Sequence, residues 1–171
     1  MFRTWAPELY KYYEEKLDKL FKSDERLTRP FRSVYPAATY NLGPRTVCLP
    51  HVDFANLPFG YCAITAIGDY DYKKGGHIVL WEPKLIIEFP PGTTVLLPSA
   101  IVTHFNMPVA EGETRCSFTQ YAAGGLFRWV DNGFKTAADH WDTLTEKQKG
   151  EKMEADKKRW EFGLGLLPTL R

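Results

Sequence analysis

The residues able to do chemistry form an ordered set: His51-Val52-Asp53, a second histidine at His104, and Arg115-Cys116-Ser117. Side chains i and i+2 of a strand share a face, so His51 and Asp53 present together if the run 45–53 is extended. One imidazole and one carboxylate here, with the imidazole of His104 added by folding, make a two-His-one-carboxylate set. Such a set holds non-haem Fe(II) on one side and leaves positions open for a cosubstrate and oxygen. Arg115 and Ser117 share a face by the same rule. A guanidinium fork grips a carboxylate bidentately, and a hydroxyl adds a further donor, so this pair suits the distal carboxylate of a keto acid.

Each element has a plainer reading on its own. H-x-D tripeptides arise by chance, His104 alone could be a hydrogen-bonded core histidine, and Arg115 alone could be a surface ion-pair partner. The order of the elements, with His104 late in a β-rich stretch and Arg-x-Ser one strand further on, favours the joint reading.

The elements that must position these groups are short and β-rich. From Ala38 to Ala122 come the runs ATYNL, RTVCLPHVD, YCAITAI, HIVLWE, KLIIEF, TTVLLP, IVTHFN and RCSFTQYA, separated by Gly- and Pro-containing turns. About eight short strands at this spacing predict an antiparallel sandwich or barrel. The fold class expected is α+β, mainly β with flanking helices, built on a double-stranded β-helix, or jelly roll, of cupin-like type. A helix is expected at about 7–22, a β-helix core at about 38–130 and helices at about 136–162, all in one domain over 1–171. Thr145-Glu-Lys-Gln148 has the pattern of a capping box. The basic connector with Arg26, Arg29 and Arg32, and the lysine-rich run 146–161, read as solvated surface; phosphate contact is the second reading for both.

Composition bounds the function classes. With 44% hydrophobic and 25% charged residues the 171-residue chain is of ordinary globular type. A net charge of +1 provides no global field to recruit nucleic acid or membrane, although a local patch suffices for either. No apolar run is long enough to span a bilayer, and the N-terminal stretch lacks the apolar core of a secretory signal. Cys48, Cys62 and Cys116 are an odd, scattered set. They read as reduced thiols of an intracellular protein, nuclear or cytoplasmic and not secreted.

The pattern H-x-D, then H, then R-x-S resembles that of the Fe(II)/2-oxoglutarate-dependent dioxygenases. Within them it looks most like the TET/JBP type that oxidises methylated bases, including its fungal-type members. Three further stretches carry this likeness: His51-Val-Asp-Phe-Ala-Asn56, His77 in GGHIVLWE, and Arg115-Cys-Ser-Phe-Thr-Gln-Tyr121. The resemblance implies Fe(II) on His51, Asp53 and His104, and 2-oxoglutarate held by Arg115, Ser117 and His77. It implies substrate contacts from Asn56 and Tyr121, the latter by stacking on an extruded base. The implied partners are 2-oxoglutarate, molecular oxygen and methylated DNA or RNA. Plainer roles stay open: Asn56 as a turn residue before Pro58, Tyr121 as barrel core, and His77 as a strand cap.

The function expected is hydroxylation of a C–H bond, with the methyl group of a methylated nucleobase as target. The alternative is a 2-oxoglutarate dioxygenase acting on a small molecule or a protein side chain. A third reading is a non-enzymatic β-barrel module that keeps a metal structurally, but such a metal needs no carboxylate clamp.

Overall fold

Pro7 suits the first turn of a helix, where its missing N–H costs nothing, and Leu9, Tyr13, Leu17 and Leu20 follow at helical spacing. After a one-turn helix α1 (Phe2–Trp5), the chain forms α2 (Pro7–Ser23), and those four side chains are the ones α2 buries. The computed structural model describes residues 1–29 and 32–168. The chain forms two compact units, one comprising 37–122 and the other 1–36 with 123–171.

In the helical unit, α2 is followed after the connector by α3 (Gly124–Asp131), α4 (Ala137–Asp142), α5 (Glu146–Lys157) and α6 (Arg159–Gly165). Its interior is aromatic. Phe2 stacks on Tyr35 at 5.8 Å between ring centres, and Tyr13 meets Phe127 edge-on at 4.9 Å. Leu17, Leu20 and Val130 form a buried aliphatic cluster beside Phe21 and Leu126. Helix α5 buries no side chain and starts at a complete capping box, Thr145 with Gln148. Its lysines are matched by acids one turn away, as in Lys149–Glu146 and Lys157–Glu154, which fits a solvated helix. Arg26 is paired with Asp24 and Arg29 with Asp18, so two of the three connector arginines are engaged locally. Positions 30 and 31 of that connector lie outside the described residues.

The β unit holds β1 (Ala37–Asn41), β2 (Cys62–Asp69), β3 (Ile78–Leu80), β4 (Leu85–Ile87), β5 (Thr94–Leu97), β6 (His104–Asn106) and β7 (Thr114–Tyr121). They form an antiparallel four-stranded sheet in the order β1-β7-β2-β5 and a three-stranded sheet in the order β4-β3-β6. One buried cluster draws on both sheets: Cys62, Ile64 and Ala66 from β2, Leu97 from β5 and Ile78 from β3, joined by Tyr70, Phe89 and Val109.

Two local features of this unit bear on the site. The run 45–53, expected as a strand, is not one. Its strand-like pairing with the sheets is confined to isolated bridges, Arg45 with Arg115 and His51 with His104, and side chains of β6 and β7 bond its backbone at Thr46 and Cys48. Pro50 within the run, and Pro44 just before it, lack the N–H that a continuous ladder needs, and the segment is largely unpaired. Gly68, opposite Arg115 in the β2–β7 ladder, has φ of +136°. A Cβ there would fall on the backbone carbonyl of Thr114. Glycine therefore allows β2 to approach the start of β7 where Arg115 sits.

Candidate metal centre and carboxylate pocket

His51 and His104 face each other across an antiparallel bridge. The His104 N–H donates to the His51 carbonyl at 2.9 Å and the His51 N–H returns to the His104 carbonyl at 3.2 Å. Their ring centres are 4.4 Å apart. Asp53 joins them because its N–H donates to the Ser99 carbonyl at 2.8 Å. The ligand atoms of His51, Asp53 and His104 all lie within 4.8 Å of one another. The co-presentation of His51 and Asp53 thus comes from this bridge and the Ser99 anchor rather than from a strand pleat.

The tautomers are set by the backbone. His51 Nδ1 lies 2.7 Å from the Leu49 carbonyl, and His104 Nδ1 lies 2.9 Å from the Val102 carbonyl. A carbonyl only accepts, so each Nδ1 donates, and in the neutral ring the lone pair is then on Nε2, where a metal would bind. His51 Nε2 sits 3.6 Å from Asp53 Oδ1. Burial, foremost, holds the pKa of His104 below its ordinary value, which favours the neutral form a metal requires; the hydrogen bond to Val102 works against this. Glu82 accepts from both the backbone N–H and the hydroxyl of Thr103, at 2.8 and 2.6 Å, and so pins the entry to β6.

Arg115 and Ser117 alternate inward along β7, and both are buried. Arg115 is 2% exposed. One guanidinium nitrogen donates to the Thr46 carbonyl at 3.2 Å, and Nε is buried with no partner. Among the described residues Arg115 pairs with no carboxylate. A buried, uncompensated guanidinium is costly, and an anion beside it would offset that cost.

These groups line one cavity of about 430 Å³. His51, Asp53, His104, Arg115 and Ser117 are in its wall, as are Asn56 and Tyr121. Tyr121 completes the inward row of β7 with Ser117 and Thr119, and its hydroxyl oxygen accepts from Thr39 at 3.5 Å. His77 is not among the lining residues; its neighbour Ile78 is. The His77 Nδ1 is buried without a hydrogen-bond partner.

Other lining residues were not singled out by spacing. Asn41, paired with Ser117 in the β1–β7 register, donates to the Ser117 hydroxyl at 3.0 Å and leaves that hydroxyl's own hydrogen to point elsewhere. Asn106 ties the unpaired segment to β6, donating to the Thr46 carbonyl at 3.1 Å and accepting from the Cys48 N–H at 2.8 Å. Phe54 lines the cavity while 87% exposed, an aromatic at its mouth directly after Asp53. Only this last position carried a local signal, an aromatic flanking the H-x-D.

No protein-family model matches the chain, and no curated protein matches it in sequence. Among solved structures the chain is similar to NgTET1 in complex with 5mC DNA, with a TM-score of 0.53 and 14% identity over 67% of this chain and 41% of that one. The fold is a double-stranded β-helix with flanking helices. The chain thus spans about two fifths of the length of NgTET1. A viral collagen prolyl hydroxylase, vCPH from Paramecium Bursaria Chlorella virus-1, solved with 2OG, aligns with a TM-score of 0.34 and 13% identity over 64% of this chain and 70% of that one. Within this double-stranded β-helix the His-Asp-His set forms a candidate metal site. No helix among the described residues is long and apolar enough to cross a membrane.

Proposed function

We propose that the chain is an Fe(II)/2-oxoglutarate-dependent dioxygenase that hydroxylates a C–H bond, with the methyl group of a methylated nucleobase as the target. The observation that carries the first part is the combination in one cavity of a His-Asp-His set with a buried arginine lacking an acid partner. The donor chemistry fits the metal: two imidazole Nε2 atoms with free lone pairs and one carboxylate oxygen. Bound Fe(II), with 2-oxoglutarate and oxygen, supplies oxidation of a C–H bond to an alcohol coupled to conversion of 2-oxoglutarate to succinate and carbon dioxide.

The chain's own residues bind and orient. His51, Asp53 and His104 would hold the metal on one side. Arg115 would take the far carboxylate of 2-oxoglutarate, and Ser117, its oxygen already accepting from Asn41, would donate its hydrogen to the same group. Ile64 and Ile78 add apolar wall to the same cavity.

The base reading is supported by aromatic groups at the cavity. Tyr121 is in its wall and Phe54 is at its mouth, and aromatic faces recover part of the few kcal/mol lost when a base leaves its stack. The similarity in fold to NgTET1, solved with 5mC DNA, adds support of a general kind. A second reading, oxidation of a small molecule or a protein side chain, is favoured by the near-neutral net charge and by the local pairing of Arg26 and Arg29.

The test is succinate release from 2-oxoglutarate with Fe(II) and oxygen, with and without single- and double-stranded methylated oligonucleotides. Release that rises with a methylated strand supports base oxidation. Release that needs His104 yet ignores nucleic acid favours the second reading, and no release with no 2-oxoglutarate binding contradicts both.

A further inference from the structure

We propose that Asn56 is a positioning residue that fixes which oxygen of Asp53 is offered to the metal; this rests on the metal-site reading above. Asn56 Nδ2 lies 3.2 Å from Asp53 Oδ2 and 3.1 Å from Ser99 Oγ. An ionised carboxylate only accepts hydrogen bonds, so the amide must turn its NH2 toward Asp53, and the assignment of its nitrogen and oxygen follows from chemistry.

The contacts close on themselves. The Asp53 N–H donates to the Ser99 carbonyl at 2.8 Å, and the Asn56 N–H donates to the Asp53 carbonyl at 2.8 Å. Asp53, Asn56 and Ser99 are therefore joined by two backbone and two side-chain hydrogen bonds. Ser99 is 1% exposed, and its own N–H is bonded to the Leu97 carbonyl at the end of β5. The amide thus hangs between a carboxylate and a post fixed in the β unit.

Two consequences follow. Oδ2 of Asp53 is occupied, while Oδ1 is the oxygen lying 3.6 Å from His51 Nε2, on the side of the imidazoles. Asp53 is thereby preset as a one-oxygen ligand. Both hydrogens of the Asn56 amide are also spent inside the site, so the side chain retains only its carbonyl oxygen for a substrate. The contact to a substrate expected of Asn56 then falls to that oxygen.

The experiment is titration of the 171-residue chain with Co(II), read by calorimetry and by the visible d–d spectrum, in four proteins: wild type, Asn56→Leu, Asp53→Ala and the double variant. Melting of each metal-free protein controls for folding. Outer hydrogen-bond partners of metal ligands are worth about 10–100-fold in affinity, so Asn56→Leu is expected to weaken Co(II) binding by about that factor and to change the band shape. In the Asp53→Ala background the same substitution is expected to add nothing, because its effect runs through Asp53. If Asn56→Leu does not fold, Ser99→Ala serves in its place, with a smaller loss in the same direction. Wild-type affinity in Asn56→Leu, or an equal loss with Asp53 absent, overturns the proposal. Failure of the wild type to bind Co(II) overturns the metal-site reading itself.

Discussion

Replacing Arg115 by leucine separates what the guanidinium does for the fold from what it does for a ligand. The side chain is 2% exposed, has an unpartnered Nε, donates to the Thr46 carbonyl and interacts with the Tyr70 hydroxyl. Removing it relieves a buried charge with no acid partner, worth about several kcal/mol of desolvation, and gives up the contacts to Thr46 and Tyr70, worth about 1 kcal/mol each. The ligand-free Arg115→Leu protein should therefore be no less stable than wild type, and its melting temperature equal or a few degrees higher at about 2–4 °C per kcal/mol. The ligand effect has the opposite sign. Two charge-assisted hydrogen bonds to a carboxylate are worth about 1.5–3 kcal/mol each, so their loss weakens 2-oxoglutarate binding by about 100-fold or more. At 2-oxoglutarate equal to about 100 times the wild-type Kd, the wild type gains about 2.7 kcal/mol, roughly 5–10 °C. The variant at the same concentration gains about 0.4 kcal/mol, roughly 1 °C. The assay is thermal melting with Mn(II), with and without 2-oxoglutarate. A ligand-free variant destabilised by more than about 3 kcal/mol, or one that keeps the full 2-oxoglutarate shift, refutes the reasoning.

Three further outcomes are expected. His104 has its pKa depressed below 6.5, mainly by burial, so the unfolded chain takes up the proton first as the pH falls. Its contribution is nil well above pH 6.5 and turns destabilising as the pH falls through 6.5; urea midpoints of the metal-free wild type should drop faster there than those of His104→Gln, and parallel profiles would contradict this. Gly68→Ala should destabilise by about 1–3 kcal/mol or more in a urea melt, since the new Cβ meets the Thr114 backbone at a positive φ; a neutral effect would show that β2 can move away. Burial pushes the Cys62 thiol up to about 12, so thiol reagents should label Cys48 and Cys116 in the native protein and Cys62 only on unfolding.

The chemistry-bearing part of the chain was legible where period and pairing agree. β7 is long enough for the i, i+2 rule to hold, and Arg115 and Ser117 are indeed buried on one face. The H-x-D and the later histidine come together, but by a different route from the one the pattern suggested. Prolines at 44 and 50 keep 45–53 out of a ladder, and a single bridge between His51 and His104 does what a strand was expected to do. Asn41, Ser99 and Asn106 were not legible, because each acts on a residue far along the chain: Ser117, Asn56 and Thr46 respectively. An asparagine in a sequence carries no mark of a long-range partner. Helix α1 is four residues long, too short for a periodic signal, and is held by aromatic packing of Phe2 on Tyr10, Tyr13 and Tyr35.

The most direct test of the account is an anaerobic titration of the metal-free protein with Fe(II) and 2-oxoglutarate, followed by visible absorption. A keto acid chelated to Fe(II) gives a charge-transfer band that neither component gives alone. The account predicts that band in the wild type, its loss in His104→Ala and Asp53→Ala, and its appearance in Arg115→Leu only at 2-oxoglutarate concentrations about 100-fold higher or more. No band in the wild type, or a band indifferent to His104 and Asp53, would contradict the assignment of this cavity as the iron and cosubstrate site.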